Sequence, residues 1–244
     1  MLAGAVVLGG VILLLPLVGV FPEPSAGLRV AAYALVLGPL VLLLYGVLLV
    51  SGGYATSRLL MVGAVAAAVG LLASFVARTD YLYGEPGLLV LLALCVGDLA
   101  KILAAACVGI SLARYVTSVG VILIVVVAAV VSDVFSVFAG PTGALVREDS
   151  PLLDFLLLVF PTFGSALGFG LGVSDFIFLA LFAAAGRFLN LRPTATLLGV
   201  CCAAFLAVTA GLLLARPLPA LPFIAVAFVL VNLDLILASF VKRG

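Results

Sequence analysis

Long apolar runs alternate with short polar breaks along the whole chain, and this pattern predicts membrane-spanning helices. The runs are near twenty residues long, the length that an α-helix needs to cross the hydrocarbon core of a bilayer. Glycine, proline and charged residues separate them. The pattern predicts eight spans, at roughly 2–20, 29–50, 58–78, 87–112, 116–139, 165–189, 194–214 and 218–241.

The connections between the runs are short, so we expect one transmembrane domain over 1–244 and no soluble module. The predicted fold class is all-α, a polytopic transmembrane helical bundle. The longest connection, 140–164, contains a short apolar piece at 155–160 that is too short to cross a bilayer. This piece is either an interfacial segment or a β-prone strand.

Composition supports a membrane protein and excludes several functional classes. Apolar residues make up 67% of the chain and charged residues 9%, too little polar surface for a soluble domain. The formal net charge is +1 and the basic residues are scattered, so nucleic-acid binding is not indicated. The absence of histidine excludes zinc sites with histidine ligands and nucleophiles activated by histidine.

The cysteines lie inside apolar runs without a CxxC spacing, and we expect them to be small buried hydrophobic residues. They are Cys95, Cys107, Cys201 and Cys202.

The basic residues in the loops predict the orientation of the chain. The side shared by both termini has six of them and the opposite side four, which favours cytoplasmic termini. The six are Arg58, Arg114, Arg187, Arg192, Lys242 and Arg243.

Four acidic residues lie within predicted spans, where an ionisable group is costly and suggests function. Asp98 has a partner one helical turn away in Lys101, and we interpret the pair as structural, with a proton or ion pathway as the alternative. Asp234, late in the last span, is also interpreted as structural.

Asp133 and Asp175 have no basic residue within one helical turn and lie on consecutive long spans. If their carboxyls meet in a low dielectric, both cannot ionise, and the pair shares one proton. That arrangement performs the chemistry of aspartic proteases, in which one carboxylate activates water and one acid polarises the peptide carbonyl. We therefore expect the carboxyls to face each other about 3 to 7 Å apart. The alternative is that each is a hydrogen-bonded polar group at a helix interface.

A proline-rich stretch, 216–222, opens the last predicted span and leaves backbone groups free. It is either an edge that an extended substrate can pair with or a loop leading into a helix with Pro222 in its first turn.

With Asp133, Gly172 to Asp175, and the triplet Pro219-Ala220-Leu221 in this order, the chain resembles the GxGD-type aspartyl intramembrane proteases. This is the presenilin and signal peptide peptidase family, and the likeness is greatest to its compact microbial members. It covers the segment from about residue 116 on, so 1–115 would hold N-terminal spans and 116–244 the catalytic spans.

Three features depart from the family pattern. Ser132 replaces the aromatic residue before the first aspartate, and Ser174 replaces the second glycine of Gly-x-Gly-Asp. The family also has nine spans, where the pattern here predicts eight.

The resemblance implies peptide-bond hydrolysis inside a prokaryotic cell membrane, on single-span helices or signal-peptide remnants, with no metal or organic cofactor. Asp133 and Asp175 would be the catalytic dyad. The residues that shape the site would be Gly172, Ser174, Pro219, Ala220 and Leu221.

Three alternatives remain open. Prepilin peptidases also use membrane aspartates with Gly-x-Gly-Asp, but they lack the late Pro-Ala-Leu triplet. A transporter or channel would use the intramembrane acids as a relay. An inactive homologue would bind membrane helices without cleaving them.

Overall fold

The computed structural model describes residues 40–41, 43–81, 88–138, 155–159, 170–214 and 218–241. Most of these residues are helical. In chain order the elements are α1 (43–51), α2 (Thr56–Tyr81), α3 (Leu88–Ala113), α4 (Val119–Phe138), β1 (Leu157–Val159), β2 (Gly170–Gly172), α5 (Val173–Phe188), α6 (Pro193–Leu213), α7 (Leu221–Val231) and α8 (Leu233–Val241).

Four of the described helices, α2, α3, α4 and α6, are long and apolar enough to cross a membrane. A fifth span results if α7 and α8 count together as one bent helix pair. The spans predicted at 58–78, 87–112, 116–139 and 194–214 are therefore present as helices. The predicted span 2–20 and most of 29–50 lie outside the described residues, so the total of eight stays a prediction.

The predicted span 165–189 is wrong at its start, because its helix begins only at Val173. The preceding Gly170–Gly172 is a strand, and it pairs antiparallel with Leu157–Val159. Leu157 lies opposite Gly172 and Leu158 opposite Leu171. The strand alternative for 155–160 is thus the one observed, and the all-α prediction needs a small two-stranded sheet added. Glycines favour the extended segment, since they carry no side chain to pack in a helix.

The predicted span 218–241 is not one continuous helix. It is interrupted at Asn232, and α7 and α8 are inclined at 63°. Asn232 is fully buried; its amide nitrogen donates to the Phe228 carbonyl, and its side-chain oxygen accepts from the Arg192 backbone N–H at 3.1 Å. A side-chain amide that binds backbone groups in this way competes with the helical hydrogen bonds and ends α7.

The helix α5 is the centre of the described bundle, in contact with α3 on one side and α6 on the other. Nine consecutive or near-consecutive positions between Phe176 and Gly186 are buried. Phe182 stacks on Phe228 of α7 with ring centroids 5.2 Å apart. Gly109 of α3 lies directly against the backbone of α5 at Ile177, an approach that a larger residue would prevent. Asp175, in the first turn of α5, therefore lies next to a closely packed part of the described bundle.

Arginines mark one end of the bundle. Arg114, at the end of α3, donates to the Ser51 carbonyl at 2.7 Å, and Arg187, at the end of α5, donates to the Leu48 carbonyl at 2.7 Å. These arginines bind the last carbonyls of α1, where cations are favoured. Arg192 lies just beyond α5, so this end carries Arg114, Arg187 and Arg192 of the six basic residues that the sequence assigns to one side. Lys242 and Arg243 lie outside the described residues. Which side of a membrane this is stays a prediction.

The prediction of buried cysteines is wrong for one residue. Cys95, Cys107 and Cys201 are buried free thiols, but Cys202 is exposed. Neighbouring residues on a helix point about 100° apart, so Cys201 faces the core and Cys202 faces the surroundings.

Candidate active site

Asp133 lies on the packed face of α4. The buried residues of this helix, Ile122, Val126 and Ala129, follow a spacing of four and three, and Asp133 occupies the next position of the same stripe. Its Oδ2 accepts a hydrogen bond of 2.9 Å from the backbone N–H of Leu221. Leu221 is the first residue of α7, where N–H groups have no partner within the helix. Asp133 thus satisfies a donor at the start of the last helix pair.

Asp175 occupies the first turn of α5. Its Oδ2 accepts a hydrogen bond of 3.2 Å from the backbone N–H of Gly172, the residue that precedes the helix. This is half of a capping box, because Gly172 has no side chain with which to return the bond. Asp175 is thereby held against the last residue of strand β2.

The two carboxyls are close enough that the charge on Asp133 acts on Asp175. Each lies at the N-terminus of a helix, α7 or α5, where the helix dipole favours negative charge. Among the described residues no hydrogen bond joins them, and each has a second oxygen without a partner. The predicted separation of 3 to 7 Å stays a prediction.

Helix lengths show how far the candidate site lies from the basic end of the bundle. Asp175 is about 18 Å along α5 from Arg187, at a rise of about 1.5 Å per residue. Leu221, the partner of Asp133, is about 16 Å along α7 from Asn232. These lengths are close to the thickness of half a hydrocarbon core, about 15 Å, so a bilayer boundary at the basic end would place the site near the middle of the bilayer. Non-helical backbone at this depth is tolerated only beside protein or water.

Strand β1 belongs to the site, and the connection that contains it lies between Asp133 and Asp175 in the sequence. It pairs with β2, which leads directly into the turn that holds Asp175. On its other side, the Leu157 carbonyl accepts a hydrogen bond of 3.1 Å from Lys101 Nζ of α3. Lys101 also forms the predicted ion pair with Asp98, at 3.3 Å and with both side chains buried. The predicted ion pair is therefore present. The hydrogen bond from Lys101 to β1 was not predicted, because no local spacing in the sequence indicates it.

The other predicted site residues surround the two carboxyls. Pro219, Ala220 and Leu221 are buried and form the turn into α7. Gly172 is partly buried, and Ser174 is exposed on the first turn of α5. Of the two alternatives for the proline-rich stretch, the turn into a helix with Pro222 near its start is the one observed for 218–222. The structure brings Leu221 to Asp133 and Gly172 to Asp175.

Asp234 is separate from this site. It forms an exposed ion pair of 2.7 Å with Arg192 at the basic end of the bundle, consistent with a structural interpretation. Asn232, beside it, matters more for the fold, since its buried amide connects α7 to α6 through Thr196 at 2.9 Å.

No protein-family model matches the chain, and neither a curated protein nor a solved structure is significantly similar to it. The assignment to a family therefore stays a resemblance of motifs, to which the structure adds the spatial arrangement of those motifs.

Proposed function

We propose that this protein is an intramembrane aspartyl protease that uses Asp133 and Asp175 to hydrolyse peptide bonds of membrane helices. One observation carries the proposal. The Leu221 N–H donates to Asp133, and α7, which begins at Leu221, also contacts α5, which carries Asp175. The three segments that resemble the family motifs thus meet at one point, although 88 residues separate Asp133 from Leu221.

The geometry suits a shared-proton mechanism. The N–H groups of Leu221 and Gly172 each hold one carboxyl oxygen, which fixes the orientation of both side chains. The remaining oxygens are available to a water molecule and to the carbonyl of a scissile bond. One carboxylate takes a proton from the water while the protonated partner donates to the carbonyl oxygen. The water oxygen attacks the carbonyl carbon to form a tetrahedral intermediate. The proton taken from the water then passes to the leaving amine as the carbon–nitrogen bond breaks, and the partner carboxyl recovers its proton from a hydroxyl of the intermediate.

The exposed surface of α4 supports a substrate that arrives from the lipid phase. Val131 and Phe135, which flank Asp133 along the chain, are 63% and 62% exposed. A helix hides its backbone carbonyls in its own hydrogen bonds, so a helical substrate must unwind before a carbonyl reaches the carboxyls. Single-span helices and signal-peptide remnants are the substrates that this arrangement favours.

A helix-binding protein without activity is the second candidate. It is favoured by the fact that both carboxylates already have a structural role, since each satisfies a backbone donor at a helix start. Carboxylates that serve only as caps would tolerate replacement by asparagine, whose oxygen also accepts such a bond.

Purified protein reconstituted with a fluorogenic helical substrate tests the proposal. We expect cleavage that a transition-state mimic with a hydroxyl in place of the scissile carbonyl inhibits, and we expect the mimic to raise the thermal stability of the protein. Absence of cleavage by well-folded protein across substrates of different sequence would contradict the proposal and favour the helix-binding alternative.

Cleavage should follow a bell-shaped pH profile. The dyad must hold one proton, so activity falls at low pH when both carboxyls are protonated and at high pH when neither is. The measurement is kcat/KM against pH, with the fold monitored by circular dichroism. A profile that is flat over the range in which the protein stays folded is not compatible with a shared proton.

Gly172→Ala should reduce activity without unfolding the protein. The backbone of Gly172 is in an extended conformation that alanine also adopts, with φ −63° and ψ 141°. The new Cβ would lie 3.0 Å from Asp175 Oδ2 and push the carboxyl aside. A displacement of this kind lowers kcat by about 10-fold to 100-fold. The control is Gly120→Ala, where, among the described residues, the new Cβ has only Ser118 Oγ within 4 Å, at 3.9 Å. Equal activity of the two variants would show that cleavage does not depend on the observed position of the Asp175 carboxyl.

A further inference from the structure

The buried ion pair of α3 has a feature that stability does not explain. Asp98 and Lys101 are each 6% exposed, and removing two charges from water costs several kcal/mol per ion. Replacement of such pairs by apolar residues is often neutral or stabilising. A pair confined to one helix would therefore add little to the fold. Lys101, however, also reaches out of its helix to the carbonyl of Leu157, 56 residues along the chain.

The strand that Lys101 contacts is too short to define its own position. The sheet has two strands of three residues each, and a pair of this size is not independently stable. A slip of one residue would reverse the faces of every side chain in the strand. In the observed register, Leu158 and Leu171 lie opposite each other and are 0% and 5% exposed. A slip would move Leu158 out of the core and bring Leu157 opposite Leu171.

The register of this sheet sets the position of the backbone group that holds Asp175. Leu157, whose carbonyl Lys101 holds, is the register partner of Gly172. The N–H of Gly172 in turn donates to Asp175. Lys101 thus binds Leu157, and the residue opposite Leu157 in the sheet is Gly172, whose N–H orients the Asp175 carboxyl.

We propose that Lys101 is a positioning residue, which fixes the register of β1 on β2 and thereby the orientation of Asp175, with Asp98 holding the ammonium group in place. Its importance for cleavage rests on the proposed protease function, but its effect on the register does not. Lys101 acts through the strand, by its hydrogen bond to the Leu157 carbonyl. The charge of Lys101 makes it suitable for this role, because hydrogen bonds from charged donors are about twice as strong as neutral ones.

The experiment measures the register by disulfide formation in a background in which Cys95, Cys107, Cys201 and Cys202 are replaced by alanine. The native pair is Leu158→Cys with Leu171→Cys, since facing residues have Cβ atoms about 4.5 to 5.5 Å apart. The slipped pair is Leu157→Cys with Leu171→Cys, which face opposite sides in the observed register. Each pair is oxidised with copper phenanthroline in the presence and absence of Asp98→Asn/Lys101→Met, which removes both charges at similar shape.

We expect the native disulfide to form with Lys101 present and its yield relative to the slipped disulfide to fall about tenfold in Asp98→Asn/Lys101→Met, as for the loss of one charged hydrogen bond. Lys101→Arg should restore the native pair, because arginine keeps the charge and the donors. Ser111→Ala is the matched control on α3, since the hydroxyl of Ser111 bonds only to the Cys107 carbonyl of its own helix; it should leave the ratio unchanged. An unchanged ratio in a folded Asp98→Asn/Lys101→Met variant would overturn the proposal.

Cleavage kinetics then separate the positioning role from the function. With native cysteines, Asp98→Asn/Lys101→Met should lower kcat at least as much as it shifts the register, with KM changed less, and Lys101→Arg should recover kcat. A lost register with an unchanged kcat would overturn the link between the strand and the dyad. If the wild type cleaves nothing, the proposed function fails, and the disulfide ratio still decides whether Lys101 sets the register.

Discussion

Asp133→Asn and Asp175→Asn should each abolish cleavage while leaving the protein folded. Asparagine has nearly the same shape as aspartate, and its side-chain oxygen can still accept the N–H of Leu221 or Gly172. It cannot hold or release the shared proton. Members of a catalytic unit are strongly non-additive, so the double variant should be hardly worse than either single one. The loss should be several orders of magnitude in kcat, comparable with that found when one member of a catalytic unit is removed, at about 10⁴-fold or more.

The same variants distinguish three functions of the protein: a protease, a helix-binding protein without activity and a transporter. Reconstituted wild type and variants are compared for cleavage of a helical substrate, for thermal stability and for protection by the hydroxyl-containing mimic. The mimic should protect the wild type more than either variant, because it interacts with the proton of the dyad. Full activity in either folded single variant would remove the aspartyl mechanism. If the wild type transports a substrate without cleaving it, and the variants lose that transport, the protein is a transporter.

Gly109→Ala should strongly destabilise the bundle. The added Cβ would overlap the carbonyl of Ile177 and lie 2.9 Å from both Ala180 Cβ and Leu181 N of α5. Backbone atoms cannot rotate away as a flexible side chain can, so α3 and α5 must separate. Overpacking of this kind costs about 3 kcal/mol, the upper part of the usual range. Because α5 carries Asp175, the residual folded protein should also lose activity.

Gly46→Ala is the matched control for this prediction. Among the described residues nothing lies within 4 Å of a Cβ added at Gly46 in α1, so alanine there should gain up to about 1 kcal/mol of helix propensity. The measurement is the midpoint of thermal unfolding in detergent, together with the yield of monodisperse protein. If Gly109→Ala unfolds at the same temperature as Gly46→Ala, the close approach of α3 and α5 is not present in solution.

The helical spans could be predicted from the sequence because hydrophobic length is a local property. Helix α4 is a continuous apolar run, and its ends at Val119 and Phe138 lie close to the predicted 116–139. The ion pair of Asp98 and Lys101 was predictable for the same reason, since residues three apart on a helix are neighbours. The interruptions were not predictable. Apolarity continues through Gly170–Gly172 and through Asn232, and what ends the helix there is a partner far away in the chain: β1 in the first case and α6 in the second.

The sequence by itself determined several apolar helices long enough to cross a membrane and two aspartates without a basic residue within one helical turn, because apolar length and the identity of near neighbours are properties of local order. It also determined the order of the three motif segments. Only the tertiary structure decided that Asp133 accepts from Leu221, that Asp175 accepts from Gly172 and that Lys101 donates to Leu157 of β1. These contacts join residues dozens of positions apart, and they form because buried backbone donors and carbonyls must find partners wherever the packed helices place them.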